Sequence, residues 1–271
     1  MESTSSLHIT IGADPEFFVT DPHGNLRSAI GLVGGSKDQP KSLGRSGFFV
    51  QEDNVAVEFN VPPAKTVSEF VDGIDWSIQK LTIQLSQKHL VPKFSASEIF
   101  PAAEINRDIR ALMFGCDPDY NARTLDQNPR PQAEIYLRSC GGHVHVGYDP
   151  VDRIPRHSVI KMMDLYLGIP AVMMDMDTRR RKLYGQAGAF RPTNYGVEYR
   201  VLSNFWLNTK ALTRWVYNQT HRAIYETLKY PGKVVEFFEK DGLGKMVQKA
   251  INKSDLDLCS RLIEEHKLVV V

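Results

Sequence analysis

The chain has 271 residues, 42% apolar and 24% charged, with a formal net charge of +1, so it can bury a core of useful size like an ordinary globular protein. With charge so balanced, and no basic run beyond Arg179-Arg180-Arg181-Lys182, a general electrostatic field for nucleic acid or membrane is excluded and any positive site must be local. Three scattered cysteines, Cys116, Cys140 and Cys259, argue against a disulfide framework or a clustered zinc site and fit a reducing cytoplasm.

Met1 to Ser6 shows no basic-then-apolar leader, and no stretch approaches the roughly 18 apolar residues of a membrane span, which predicts a soluble, unexported protein. Leu7 to Ile11 and Glu16 to Thr20 read as strands, and Asp21-Pro22-His23-Gly24 as a turn, giving an opening hairpin. Gly31 to Gly47, rich in Gly, Ser and Lys, reads as a mobile connection whose ends can cover a pocket. Val55 to Asn60 is a further strand that stops at Pro62-Pro63. Thr66 to Leu85 predicts the clearest helix. Thr66 and Glu69 have capping-box spacing, and Val67, Phe70, Val71, Ile74, Ile78, Leu81 and Leu85 form one apolar face. Strand character returns at Phe94 to Phe100 and Glu134 to Val146, across a loop with Asp117-Pro118-Asp119 and Pro129-Arg130-Pro131. Ser158 to Asp175 is helical, with Gly168 and Pro170 expected to break or kink it and with Met162, Met163, Met173 and Met174 as adaptable core. From Thr209 the chain reads as several helices, with breaks at Pro231-Gly232 and Asp241-Gly242. One α+β domain over residues 1–271, with helices on one face of a mostly antiparallel sheet, is the simplest reading.

Four short segments carry polar pairs at a spacing of two: Asp14 with Glu16, Glu58 with Asn60, His143 with His145, and Glu198 with Arg200. In a strand each such pair shares a face. Four of these strands in one sheet would line a pocket with acids, imidazoles and a guanidinium. Buried carboxylates require counter-charge, which a divalent cation supplies to several at once and a salt bridge supplies to one. Gly141-Gly142-His143-Val144-His145 allows close approach of a ligand, and it is open to three readings: a zinc pair, one metal ligand beside one phosphate donor, or two satisfied core histidines. Arg179, Arg180, Arg181 and Arg191 have the guanidinium forks that hold phosphate, although a basic run is also the mark of a solvated surface.

In this order the segments resemble the glutamine synthetase and glutamate-cysteine ligase superfamily of carboxylate-amine ligases, and within it the shorter amidoligases of phages and bacterial gene clusters. Gly12-Ala13-Asp14-Pro15-Glu16-Phe17-Phe18 resembles the first-strand motif with two acidic metal ligands, with Asp14 in place of the usual Glu. Val57-Glu58-Phe59-Asn60 before Pro62-Pro63 is similar to the glutamate-bearing strand. Gly142-His143-Val144-His145 resembles the strand whose first His binds metal and whose second contacts nucleotide phosphate, and Gly196-Val197-Glu198-Tyr199-Arg200 resembles the last metal-binding strand. The resemblance covers roughly residues 8–206 and leaves the helical 209–271 region outside.

The resemblance implies a glutamine synthetase-like fold, with ATP and Mg2+ or Mn2+ as cofactors. The implied reaction joins a carboxylate to an amine, at the expense of ATP, through an acyl phosphate. It implies Asp14, Glu16, Glu58, His143 and Glu198 as metal ligands, and His145, Arg200 and one or more of Arg179, Arg180, Arg181 and Arg191 on phosphate. Asn60 would orient substrate or nucleotide, and Arg200, Arg191 and Glu58 would serve catalysis. The further glutamate of the larger enzymes has no clear counterpart, Glu52 and Asp53 being the candidates. The amine can sit on a small molecule, a peptide or a protein, and a homo-oligomer is compatible with the resemblance. The cytoplasm is the expected location, that of the host if the protein is phage-encoded. Three rivals stand beside it: a zinc hydrolase built on His143 and His145, a catalytically inactive interaction protein, and, weakest because the charge balance gives it no footprint, a nucleic-acid binder.

Overall fold

The computed structural model describes residues 8–112, 119–129, 134–149, 154–236, 238 and 242–271. The Met1 to Ser6 segment, Cys116, Asp117-Pro118, Arg130-Pro131 and Asp241 lie outside these residues. Twelve strands are formed among them: β1 (Ile9–Thr20), β2 (Leu26–Arg27), β3 (Lys41–Ser42), β4 (Phe49–Asp53), β5 (Ala56–Ala64), β6 (Val91–Lys93), β7 (Ser97–Ile99), β8 (Tyr120–Asn121), β9 (Leu137–Ser139), β10 (Gly142–Tyr148), β11 (Ala189–Pro192) and β12 (Gly196–Tyr199). The main sheet runs β3-β4-β5-β1-β10-β12-β11-β8, antiparallel at every pairing, with β2 and β6 against the far end of β1 and β7-β9 as a separate pair.

Alternation sets which side chains leave which face. Ile11, Ala13, Phe17 and Val19 of β1, Val57, Phe59 and Val61 of β5, Val144 and Val146 of β10, and Val197 and Tyr199 of β12 enter one core, so their polar neighbours point the other way. Because β5, β1, β10 and β12 are adjacent, the register sets Glu58 opposite Glu16, His143 opposite Asp14 and Glu198 opposite His145. The four polar pairs expected from sequence thus share one patch of sheet. β1 runs unbroken through Pro15, where two separate strands were expected. Pro15 aligns with Gly142 at the end of the β10 ladder, a position where a missing N–H costs little.

The helices α1 (Val67–Ser86), α2 (Ala102–Ile105), α3 (Arg156–Met163), α4 (Ile169–Met174), α5 (Thr178–Leu183), α6 (Lys210–Lys229), α7 (Pro231–Val235), α8 (Leu243–Lys253) and α9 (Leu256–His266) complete the fold. α1 starts at the expected capping box, with Glu69 N–H donating to Thr66 Oγ1 at 3.2 Å and the Glu69 carboxylate accepting from Thr66 N–H at 3.2 Å. Its Phe70, Ile74, Leu81 and Leu85 are buried, and α1, α3 and α6 pack on the sheet face opposite the polar pairs. Gly168 and Pro170 do not stop the helix between α3 and α4. They coincide with a widened π turn, Asp164–Gly168, after which the missing N–H of Pro170 falls in the first turn of α4. Met162 and Met163 are core, and Met173 and Met174 pack against it. Pro231-Gly232 ends α6 and opens α7.

Two expectations need correction. Phe94 to Phe100 keeps strand form only at Ser97–Ile99, and Glu134 to Val146 is two strands, because Gly141 is drawn out of line by Glu16. Gly141 N–H donates to the Glu16 carboxylate at 2.8 Å, and Gly141 C=O accepts from Glu16 N–H at 2.9 Å. The Gly31 to Gly47 connection is tied down rather than loose: Gly34 N–H donates to Glu52 at 2.8 Å and Lys41 Nζ to Val33 C=O at 3.1 Å. Cys140 and Cys259 are buried free thiols. No helix among the described residues is long and apolar enough to cross a membrane.

Gly142 begins β10 under Trp206, where an added Cβ would lie 2.3 Å from the indole Nε1 and 2.4 Å from Ser203 C=O. Gly142→Ala is therefore expected to lower unfolding free energy by about 1–3 kcal/mol through overpacking. Gly232→Ala, which would meet nothing within 4 Å, should leave the urea midpoint equal to or above that of the parent. Equal midpoints for all three proteins would contradict the tight seating of β10.

Candidate active site

The polar face of β1, β5, β10 and β12 opens into a cavity of about 170 Å³. Asp14, Glu16, Asp53, Glu58, His143, Arg180, Arg191 and Arg200 line it. With Glu198, which lies behind the lining, they form two acidic groups and an arginine wall. Ligand atoms of Asp14, His143 and Glu198 all lie within 4.8 Å of one another, and so do those of Glu16, Asp53 and Glu58.

In the first group, His143 Nδ1 is 3.7 Å from Asp14 Oδ1 and 3.6 Å from Glu198 Oε1. Burial, followed by the charges of Arg200 and Arg180, holds the His143 pKa well below the usual range, so the ring is neutral and keeps a lone pair to offer. Glu198 is buried and accepts from Arg191 Nη1 at 2.9 Å and from Arg200 Nη1. Burial works to lower the Arg200 pKa, but Glu198 and Asp14 outweigh it and the net shift is upward. Arg180 reaches in from α5 and donates to Val201 C=O at 2.8 Å and Arg200 C=O at 3.1 Å, with Nη2 3.4 Å from His143 Nε2. Burial pulls its pKa down to about 10 against the opposing charge of Glu16, which leaves it protonated at neutral pH.

In the second group, burial and then the charge of Asp53 raise Glu16 to about 8, despite the Gly141 hydrogen bond. Glu58 is pushed well up by burial and by Asp14, Glu16 and Asp53, with a Gln51 hydrogen bond opposing. Asp53 is raised by burial, with Lys37 and Arg200 opposing. Like charges this close hold protons or take a cation in their place. Five of the six residues in the two groups are carboxylates, a hard oxygen set that suits Mg2+ or Mn2+ better than zinc. The second group fits a cation most simply, since both Glu198 oxygens of the first already face arginines.

His145 does not line the cavity. Its Nε2 lies 3.0 Å from Asp14 Oδ1 and its Nδ1 2.7 Å from the Tyr195 hydroxyl. His143 Nδ1 and His145 Nε2 both approach Asp14 Oδ1, but neither ligand-atom group among the described residues contains both imidazoles. Asn60 shares the face of Glu58 but does not reach the cavity. Of the arginine run only Arg180 does. Arg179 donates to Ser97 C=O at 3.0 Å and Asp177 Oδ2 at 3.1 Å, and Arg181 donates to Ser254 Oγ at 3.1 Å and Asp177 C=O at 3.2 Å. The run lies on α5, where successive residues point about 100° apart, so one of three faces the site. Asp53 is the acid that sequence reasoning left undecided against Glu52. Its signal was the spacing of Gln51 and Asp53 on β4, the same two-residue rule as the other pairs, while the Glu52 carboxylate caps Gly34 N–H at 2.8 Å.

No curated protein matches the chain. Solved structures similar to it include a GmaS/ADP complex in conformation 1, with TM-score 0.39 and 10% identity over 98% of this chain and 71% of that one. Apo GmaS without ligand follows at TM-score 0.40 and 12% identity over 98% and 70%, and a novel glutamine synthase homolog at 0.40 and 12% over 96% and 67%. The α+β class rests on the topology of the sheet and helices themselves. The family match begins after the β1 and β5 motifs and continues through α6 and α8, beyond the limit of 206 expected from the motifs. Over residues 132–258, which hold His143, Arg180, Arg191 and Glu198, the chain matches the family described as phage phiEco32-like COOH.NH2 ligase-type 2, in agreement with the resemblance carried by its motifs.

Proposed function

We propose that the protein is an ATP-dependent carboxylate-amine ligase that forms an amide bond through an acyl phosphate at a divalent-metal site. The observation that carries this reading is the meeting of two acidic groups with Arg180, Arg191 and Arg200 in one cavity. The description of the matching family supports it. Asp14, His143 and Glu198, and Glu16, Asp53 and Glu58, would hold Mg2+ or Mn2+, which when bound neutralises charge on phosphate oxygens. The carboxylate substrate attacks the γ-phosphoryl group of ATP and ADP leaves. The amine then attacks the acyl carbon, phosphate leaves, and the amine gives up a proton.

The residues of the chain supply position and field. Arg191 and Arg200 are held by Glu198 and Arg180 by two carbonyls, so their positive charge is in place before phosphate charge develops and needs no reorganisation. The acid and amine are unassigned small molecules, peptides or proteins, and the cytoplasm is the fitting compartment.

Incubation with ATP, Mg2+ and a panel of amino acids and peptides should release phosphate and yield a product lighter than its components by one water. Glu16→Gln or Glu58→Gln should abolish this while the fold persists. Arg200→Lys should lower kcat by about 100-fold with a smaller change in the KM for ATP. Arg179→Ala, outside the cavity, should leave both unchanged; a loss equal to that of Arg200→Lys would contradict the arrangement on α5.

Stability should report the acidic crowding separately. Glu16 rises from 4.5 in the unfolded chain to about 8 in the fold, so between these values the folded state holds protons that the unfolded state has lost. Metal-free stability must then fall as pH rises through that window. A cation replaces those protons, and the increase in Tm on adding Mg2+ should be larger at about pH 8.5 than at about pH 6. An equal increase at both, or none, would contradict the cation site.

A further inference from the structure

Tyr195 stands beside the site without belonging to any motif. It lies in the turn between β11 and β12, is 45% exposed, and places its hydroxyl 2.7 Å from His145 Nδ1. The other ring nitrogen, Nε2, faces Asp14 Oδ1 at 3.0 Å. When the tyrosine hydroxyl donates to Nδ1, the proton of a neutral imidazole sits on Nε2, the nitrogen that lies beside Asp14 at ion-pair distance. That is the outer-partner arrangement in which a ligand group is oriented by a second residue and that residue by a third.

The turn is built to hold Tyr195 in place. Thr193 N–H donates to Gly196 C=O at 3.1 Å and Tyr148 N–H to Tyr195 C=O at 3.2 Å. Arg156 clamps both ends, Nε to Gly196 C=O at 3.1 Å and Nη2 to Thr193 C=O at 3.1 Å. Gly196 has φ +154°, and a Cβ there would come within 2.1 Å of Val146 C=O, so the tight pairing of this turn with β10 requires glycine.

We propose that Tyr195 and His145 are positioning residues for Asp14: Tyr195 fixes the ring of His145, and His145 fixes the carboxylate that would hold the cation of the first acidic group. This rests on the ligase reading for the cation, and it assigns His145 a place other than on nucleotide phosphate. The reading explains why His145 lies outside the cavity that His143 lines.

The test measures Mn2+ binding to the full chain by electron paramagnetic resonance with no nucleotide present. His145→Ala should weaken binding by roughly 10–100-fold, Tyr195→Phe by a smaller factor, and His145→Gln, which keeps an N–H donor near Nε2, should recover part of the loss. Thermal melts of each metal-free variant show whether it is folded, and the exposed position of Tyr195 lets Tyr195→Phe report even if His145→Ala does not fold. Parental Mn2+ affinity in His145→Ala, with only the KM for ATP raised, would overturn the inference and return His145 to phosphate. Parental affinity in Tyr195→Phe would overturn the part given to Tyr195. Absence of Mn2+ binding by the parent protein would overturn the ligase reading and this one with it.

Discussion

Asp14, Glu16, Asp53, Glu58 and Glu198 are gathered on one side of a sheet whose other side is covered by helices, and that gathering is costly. Carboxylates removed from water repel one another and lose hydration, and a fold keeps them together only if something of opposite charge compensates. Three arginines on one wall answer part of this. Glu16, Glu58 and Asp53 are each shifted upward, led by burial, and carboxylates in that state hold protons or take a cation in their place. A cation is what the remaining imbalance fits.

The scaffold holds this arrangement through the residues that point away from it. Tyr199 lies between Glu198 and Arg200 in sequence, faces the core, and donates to Asp164 Oδ1 at 3.1 Å; Asp164 also accepts from Arg123 Nη2 at 2.8 Å. Asp164 sits in the π turn between α3 and α4, so the irregular turn brings a buried acceptor to the strand that carries Glu198. Burial raises the Asp164 pKa while Arg123 and Tyr199 oppose it, the balance of a charge that is enclosed and partnered at once.

Much of the site was legible in the sequence because strand alternation is local. Asp14 with Glu16 and His143 with His145 announce a shared face from spacing alone, and apolar neighbours such as Phe17, Val57 and Val144 mark which face is buried. What spacing cannot show is which strands become neighbours. That depends on pairings between residues more than a hundred positions apart, as in Asp14 with His143. The arginine run left open which of its members reaches the site, for the reverse reason. Read as a strip of charge it offers three phosphate ligands, but its α5 helix gives one side chain to the site and ties the others to Asp177 and Ser254. Asp53 was half visible, since the rule that found the other pairs applies to Gln51 and Asp53 once β4 is recognised. Tyr195 carried no signal, because its role comes from a turn folded back across β10.

The most direct test of cation binding by both acidic groups is a crystal structure of the protein with Mn2+ and a non-hydrolysable ATP analogue, with anomalous scattering used to locate the metal. The expected result is one manganese peak among Glu16, Asp53 and Glu58, a second among Asp14, His143 and Glu198, and the terminal phosphate facing Arg200. Manganese bound away from these carboxylates, or a nucleotide seated on another surface, would contradict it.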